Sequence, residues 1–391
     1  MRSLLIGLFA MSLSITIQAQ SDLKEVLQAV EINNLSLKAQ NQLIESQKIG
    51  YKTEMNLANP ELEYEKNFSD VYGNPYEILI SQDFDFPTVY LQKNKIKKAK
   101  TANLDNVRQQ GRQDILLNAK KACLNLIYQN KQKEQLTIRY ENAQKLVSFF
   151  KKKLEKGDAN ILEMNKVKIV LLNIKNQLQL CNTQVSNLKE DLKQLNGGKA
   201  IEFNSLLYPT VSVKEDFTKL ETDVLNNTPN LNKMKADMDI ASKQTSLAKN
   251  QVLPKLNLGY RYLNSDLNKS FNGINLGISI PLWESRNKVK FAKLNQLSQE
   301  SQYLSEEKLL ISDIQKNYQN YQGLKASLAE YRLILDGSNM SELLKKALDF
   351  GQISSIEYFM ESIYFYESFD TYLQVEKEYH LAVADLLKYQ L

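Results

Sequence analysis

The side chains best suited to catalysis and metal binding are scarce in this sequence. Its 391 residues include one histidine, His380, and two cysteines, Cys123 and Cys181. No nucleophile motif or phosphate-binding loop accompanies them, and His380 lies in the middle of a predicted helix, so the sequence contains no catalytic constellation. The eight methionines are scattered and offer no relay for metal ions. We therefore expect a protein that is not an enzyme and that needs no cofactor or metal.

One pattern of distinctive residues does recur, a glycine followed six positions later by a glutamate within a long helical stretch. Gly157 and Glu163 form one copy, and Gly351 and Glu357 form the other, 194 residues further on. This period is far longer than that of a solenoid repeat, so one large structural unit is present twice. The same shift superimposes other landmarks: Asp22 on Asp216, Pro60 on Pro254, Pro87 on Pro281 and Leu154 on Leu348.

The repeat predicts the organisation of the chain. Residues 1–19 read as a secretory signal peptide, because a basic start precedes an apolar stretch and a plausible cleavage motif that ends at Ala19. The first repeat covers 20–197, a linker covers 198–215, and the second repeat covers 216–391. No run of 18 apolar residues follows residue 19, so the mature chain is either soluble or crosses a membrane as strands.

Each repeat contains a stretch in which apolar and polar residues alternate, the pattern of a β-hairpin with one apolar face. The hairpins are predicted over residues 61–86 and 255–280, and a polar loop is predicted over 264–272 in the second hairpin. Pro60 and Pro254 precede their first strands, and Pro87 and Pro281 follow their last strands. Strands of this length suit a tilted crossing of a lipid bilayer.

Long helices are predicted after each hairpin, since no proline occurs from Thr88 to Tyr208 or from Leu282 to Leu391. Apolar residues in these stretches keep a spacing of four and three, which is typical of helices packed as in a coiled coil. The second repeat should have its long helix from about Glu284 to Asp349. The formal net charge of +5 is modest, and basic and acidic residues are interleaved, so the composition does not indicate a nucleic-acid partner.

Four strands with one apolar face cannot close a barrel alone, and their edges need further hydrogen-bond partners. The pattern therefore predicts a homo-oligomer whose apolar face contacts membrane lipid and whose polar face lines a lumen. The long helices would lie outside the membrane and continue that lumen.

On the duplicated unit, its flanking prolines and the segments Leu154–Glu163 and Leu348–Glu357, the mature chain resembles the TolC-like outer-membrane factor family. The resemblance implies a mainly α fold with a small β part, in which long antiparallel helical hairpins join four transmembrane strands per chain. It implies a homotrimer with a 12-stranded β-barrel in the outer membrane and a 12-helix tunnel in the periplasm. It also implies a periplasmic adaptor (membrane fusion protein) and an inner-membrane pump of the RND or ABC type.

By the same resemblance, Glu163 and Glu357 correspond to the family's periplasmic gate, where rings of carboxylates would favour cations. The second acidic position of well-studied members is occupied here by Lys166 and Met360, so a double ring is absent. A basic residue two positions after each glycine is also missing, so an ion-pair lock is not expected at the tips. The residues that correspond to the adaptor-contacting tips are Leu154, Gly157, Leu348 and Gly351.

Simpler interpretations stay open for these residues. Glu163 and Glu357 also fit ordinary first-turn acids favoured by the helix dipole, and the glycines fit helix caps. For the whole chain, the implied function is the passive exit duct of a tripartite efflux or type I secretion system. The alternative is a periplasmic coiled-coil adaptor or tether without a pore, which leaves the apolar strand faces unexplained.

Overall fold

The computed structural model describes residues 22–68, 74–265, 269–338 and 340–391. The predicted signal peptide, residues 1–19, lies outside this described part, as do residues 69–73 and 266–268 of the predicted hairpin turns. The described chain is mostly helical and contains one small antiparallel sheet, so this part of the predicted fold class is confirmed.

Helices and strands follow in the predicted order in both halves of the chain. The first half contains α1 (22–33), α2 (Leu35–Thr53), β1 (Glu61–Lys66), β2 (Tyr76–Phe84), α3 (Pro87–Lys156) and α4 (Ile161–Leu195). The second half contains α5 (Phe217–Asn227), α6 (Pro229–Asn250), β3 (Lys255–Ser265), β4 (Lys269–Ser279), α7 (Lys288–Ser338), α8 (Met340–Asp349) and α9 (Ser355–Leu386). A short 3-10 helix, Lys388–Gln390, follows α9.

A break at Asn34 separates α1 from α2. The Asn34 side chain caps α2, because its Oδ1 accepts a hydrogen bond from the Leu37 N–H at 3.0 Å. Its Nδ2 donates to the carbonyl oxygen of Leu195 at 2.7 Å. The asparagine thus ends one helix, begins the next and holds the end of α4.

The four strands form one antiparallel sheet in the order β1-β2-β3-β4. The sequence predicted a polar loop over 264–272, and this is wrong at both ends of that segment. Asn264 pairs with Ser270 and Ser265 pairs with Lys269, so both strands run further than expected. The hydrogen-bonded ladder outweighs the weak strand preference of these polar residues.

The long second-repeat helix, predicted from about Glu284, begins four residues later as α7, at Lys288. Turns occupy 282–287, and Asn287 has a φ of 63°, a left-handed conformation that asparagine tolerates better than most residues. The hairpin strands end slightly early, at Phe84 and Ser279, where 86 and 280 were expected.

Two compact units can be distinguished in the chain, and each combines parts of both repeats. One unit comprises Gly111–Val224, Ile311–Leu391 and the described residues up to Ala39. Its core joins side chains of α1, α3, α4 and α9, among them Val30, Leu126, Leu192 and Ala384. The predicted repeats are two consecutive halves of the chain, whereas each compact unit takes segments from both halves. The repeat boundaries therefore stay a prediction.

The other unit comprises Gln40–Gln110 and Leu225–Leu310 and contains the sheet. Its buried apolar side chains include Ile44, Val89, Ile96, Leu231 and Ile240, which lie on α2, α3 and α6.

Both cysteines are buried free thiols. Burial raises the pKa of the Cys123 thiol to about 12, so its reactive thiolate form is suppressed at neutral pH. Cys181 lies against α3, where its Sγ contacts the carbonyl oxygen of Gln129 at 3.4 Å. Both residues therefore serve helix packing.

Candidate functional site at the helix-hairpin tips

The first hairpin tip joins α3 to α4 through a glycine-capped turn. Gly157 has a φ of +79°. Its N–H donates to the Leu154 carbonyl at 3.1 Å, and the Asp158 N–H donates to the Lys153 carbonyl at 2.9 Å. These two bonds form a Schellman cap, which satisfies carbonyls that the end of α3 would leave unpaired. Glycine suits this position because it carries no Cβ to oppose a positive φ.

The start of α4 is fixed by a capping box. The Asn160 side chain accepts a hydrogen bond from the Glu163 N–H at 2.9 Å, and Glu163 Oε2 accepts one from the Asn160 N–H at 3.0 Å. Two N–H groups without helical partners are thereby satisfied reciprocally. The structure thus gives the Glu163 carboxylate a capping function, the simpler of the two interpretations raised by the sequence.

The second tip repeats this construction between α8 and α9. Gly351 has a φ of +66°, and its N–H donates to the Leu348 carbonyl at 3.0 Å. The Gln352 N–H completes the Schellman cap with a bond of 2.8 Å to the Ala347 carbonyl.

The capping box of α9 pairs Ser354 with Glu357. Glu357 Oε2 accepts from the Ser354 N–H at 2.8 Å, and Ser354 Oγ accepts from the Glu357 N–H at 3.2 Å. The bond from the Ser354 backbone, with a smaller contribution from its side chain, lowers the pKa of the Glu357 carboxyl below its ordinary value. The carboxylate is therefore held ionised at the positive end of the α9 dipole.

Glu163 lies at a groove that α4 shares with α9, and Glu357 is not among the residues that line this groove. A groove of about 250 Å³ is lined by Glu163 and Lys166 of α4 and by Phe359 and Met360 of α9. The two glutamates occupy equivalent positions on separate tips. The gate function of both residues stays a proposal.

The two leucines at the tips differ in their surroundings. Leu154 packs with a small cluster around Phe150, Met164 and Val167, which joins the end of α3 to the start of α4. Leu348 is half-buried and lines a second, larger groove. Among the exposed apolar residues of this region is Phe350, which is 78% exposed beside the Gly351 turn.

The four prolines lie at the junctions of strands and helices. Pro60 and Pro254 directly precede β1 and β3, Pro87 is the first residue of α3, and Pro281 follows β4. Proline suits the first turn of a helix, where its missing N–H would have no partner in any case.

Strand register separates the sheet into an apolar and a polar face. One row across all four strands contains Leu62, Ile80, Tyr260 and Ile274, each at least half exposed. The adjacent row on the opposite face contains Glu61, Ser81, Gly259 and Asn275. A large exposed apolar face is unusual for a soluble protein and marks an interaction surface.

Polar side chains on the polar face of the sheet contact one another across neighbouring strands. The Arg261 guanidinium lies 2.9 Å from a carboxylate oxygen of Glu77, and Asn257 donates to Asp83 at 2.7 Å. Both contacts join β2 to β3, the two strands that come from different repeats. This face offers charged and hydrogen-bonding groups suited to contact with water.

Sequence reasoning missed a buried ionic cluster between α3 and α9. Arg139 is only 4% exposed, and its two terminal nitrogens bind the carboxylate of Asp370 at 2.8 and 2.7 Å. Glu376 is also buried and contacts both Lys131 and Arg332. No local sequence motif predicts these ion pairs, because the paired residues lie far apart in the sequence.

His380 has a packing function. Its ring stacks on Tyr208 with centroids 4.1 Å apart, and burial lowers its pKa to about 3. Among the described residues, no group of three or more histidine, cysteine or acidic side chains could hold a metal ion. None of the described helices has the length and apolar character of a transmembrane helix.

Comparison with known proteins relates this fold and its helix-hairpin tips to one family. The sequence model of the outer membrane efflux protein family matches residues 220–386, which cover most of the second repeat. The resemblance of the chain to TolC-like outer-membrane factors is thereby confirmed. The same match supports the predicted location in the outer membrane. No curated protein matches the chain.

Solved structures of outer-membrane channels share this fold at low sequence identity. A structure of CusC, described as forming a transmembrane channel, is 14% identical with a TM-score of 0.76, covering 94% of this chain and 92% of that one. The CmeC outer membrane channel of Campylobacter jejuni is 17% identical with a TM-score of 0.70, covering 94% and 85%. The MtrE outer membrane channel of Neisseria gonorrhoeae, in its open state, is 13% identical with a TM-score of 0.69, covering 94% and 88%.

Proposed function

We propose that the protein is the passive exit duct of a tripartite efflux or type I secretion system. The observation that carries this proposal is the four-stranded sheet, which has one continuous exposed apolar face and two unpaired edge strands. In a lipid bilayer, such a sheet is stable only when its edges are closed by further strands. Three chains would supply 12 strands for a closed barrel, and their long helices would form a 12-helix tunnel in the periplasm.

The proposed duct does no chemistry of its own, in keeping with a family of passive channels. A periplasmic adaptor docks at the tips formed around Gly157 and Gly351, and an inner-membrane pump of the RND or ABC type supplies the energy. Docking spreads the hairpins, and the substrate then passes from the pump to the exterior. The self-contained caps at both tips support this proposal, because rigid ends can move apart without unfolding.

The first test is separation of the cell envelope on a density gradient after an alkaline wash, followed by mass determination of the detergent-extracted protein. The proposal predicts an integral outer-membrane protein with the mass of three mature chains. A monomer released into the soluble periplasm would overturn it, and an adaptor or tether without a pore would take its place.

Glu163 and Glu357 are proposed to form the periplasmic gate, with one carboxylate of each kind contributed by every chain. Since rings of carboxylates favour cations, Glu357→Ala should weaken the cation selectivity of single channels in a planar bilayer. Ser354→Ala is the matched control, because it removes the side-chain half of the cap and keeps the charge. Selectivity that is unchanged in Glu357→Ala would remove this residue from the gate.

A further inference from the structure

A second groove lies between the helices of the two hairpins, close to their tips. It measures about 810 Å³ and is lined by residues of α3, α4, α8 and α9 together with the turn before α9. This volume lies within the range of about 300–1,000 Å³ that is usual for small-molecule sites. We call it the inter-hairpin groove. All its lining residues belong to the compact unit that contains both tips.

Positive charge dominates the lining of the inter-hairpin groove. Arg139, Lys145, Lys153 and Lys345 all line it, and no carboxylate is among its described lining residues. Asp370 neutralises the arginine. The three lysines have no acidic partner within 4.0 Å in the part of the chain that the structure describes. These three lysines therefore give the described lining its positive character.

A buried hydrogen-bond donor in the same lining is also without a partner. The Nε of Arg139 makes no hydrogen bond among the described residues, although the side chain is only 4% exposed. Its guanidinium stacks on the Tyr366 ring at 4.5 Å, which fixes its plane. Buried donors of charged groups are nearly always satisfied, so this N–H indicates an acceptor that the chain itself does not supply.

The remaining walls of the groove are mostly apolar. Leu146, Phe149, Ile174 and Phe359 line it beside the charged residues. The Lys153 ammonium group lies 5.1 Å from the centre of the Phe149 ring, so charge and aromatic surface meet at one wall. A site with a few convergent polar groups on an apolar surface is the usual form of a small-molecule site.

We propose that the inter-hairpin groove binds a small organic anion, a carboxylate or sulfonate carried on an apolar ring system or chain. The anionic group would contact the lysines and the free N–H of Arg139, and the apolar body would cover the phenylalanine and aliphatic wall. Nothing in this proposal depends on conduction through the duct, because the groove is formed within one chain.

The test is calorimetric titration of the detergent-free protein in lipid nanodiscs at low ionic strength. Three water-soluble probes of matched size are compared: 2-naphthoate, 2-naphthamide and 2-naphthylmethylammonium. Empty nanodiscs correct for partition into lipid. We expect saturable binding of the naphthoate, binding of the amide that is about tenfold weaker or more, and no binding of the ammonium compound, because only the anion finds opposite charge.

Charge-removing variants locate the site. Lys345→Gln and Lys153→Gln should each weaken naphthoate binding about fivefold through loss of one nearby charge. The matched control is Lys346→Gln, since Lys346 pairs with Glu342 at 2.8 Å and is not part of the lining. Equal binding of naphthoate and naphthamide, no binding of naphthoate at millimolar concentration, or unchanged affinity in both lining variants would each overturn the proposal. None of these results bears on whether the protein is an exit duct.

Discussion

Arg139 shows how one charged side chain can be retained inside a helical bundle. Two bonds to Asp370 and a stacking contact with Tyr366 replace much of the water lost around its guanidinium, while its Nε–H has no partner among the described residues. Such a pair adds little net stability, but removal of one partner leaves a charge buried and unpaired. The contact joins α3 to α9, so its loss should loosen the two hairpins from each other.

Asp370→Asn should therefore lower the free energy of unfolding by about 1–3 kcal/mol, a value below that of a fully buried pair because Asp370 is 37% exposed. The measurement is the shift of the thermal unfolding midpoint of the extracted protein. Asp313→Asn is the control, since its contact with Lys316 is 3.7 Å long and exposed, and it should change stability by less than about 0.5 kcal/mol. Equal shifts in both variants would contradict this account of Arg139.

The Glu357 carboxyl predicts a local pH dependence at the second tip. Its pKa is lowered in the folded protein, so its stabilising effect is fully present above the ordinary value of 4.5. The effect is lost as the pH falls below 4.5 through the folded-state pKa. Hydrogen exchange of the tip amides, corrected for the intrinsic rate, should show decreasing protection over this range. Glu357→Gln keeps an acceptor without a titrating group and should abolish the dependence.

The end of α4 illustrates how a single element is held by backbone contact. Gly197 has a φ of +67°, and a Cβ at this position would lie 2.4 Å from the carbonyl oxygen of Asn33. The neighbouring Gly198 also has a positive φ, of +84°, but open space surrounds it. The Asn33 side chain adds a bond of 3.0 Å to Asn196, so the α1–α2 break and the end of α4 form one junction.

These two glycines give a matched pair of substitutions. Gly198→Ala should cost about 1–2 kcal/mol through backbone strain alone. Gly197→Ala should cost clearly more, because the strain is joined by a clash with a backbone atom that cannot rotate away. Chemical denaturation of the extracted protein measures both. Similar losses of stability in the two variants would show that the contact with Asn33 is looser than described.

Periodicity in the sequence was sufficient to locate the strands and most helix bodies, because burial on one face acts at every second or fourth residue. The ends of the strands and helices were less predictable. Pairing with β3 sets the start of β4 at Lys269, and the left-handed conformation of Asn287 precedes the start of α7 at Lys288. The capping boxes could have been found from Asn160 and Ser354, each three residues before its glutamate. The ion pair of Arg139 could not, since only the folded chain brings residues 231 positions apart into contact.

At the scale of the whole molecule, the two faces of the sheet decide where the protein resides. Leu276 lies on the apolar face in the middle of β4 and is 77% exposed, whereas its neighbour Asn275 points to the polar face. The proposed barrel requires lipid against the first face and water against the second.

Leu276→Arg should therefore prevent stable insertion, because a charge on the lipid face costs about 2–4 kcal/mol near the bilayer midplane in each of three chains. Asn275→Arg introduces the same side chain one residue away and should leave insertion intact. The measurement is the fraction of protein retained in outer membranes after an alkaline wash. Equal retention of the two variants would argue against the assignment of the faces.

Both hairpin tips are held by bonds between residues only a few positions apart in the sequence. These caps need no contact with neighbouring helices. The outward side chains of the segments Leu154–Glu163 and Leu348–Glu357 can therefore be replaced without loss of the turn. Each tip is in this sense a self-contained structural unit. The two tips are built alike, so under the proposed adaptor docking one tip can change its contact surface while the other keeps its own.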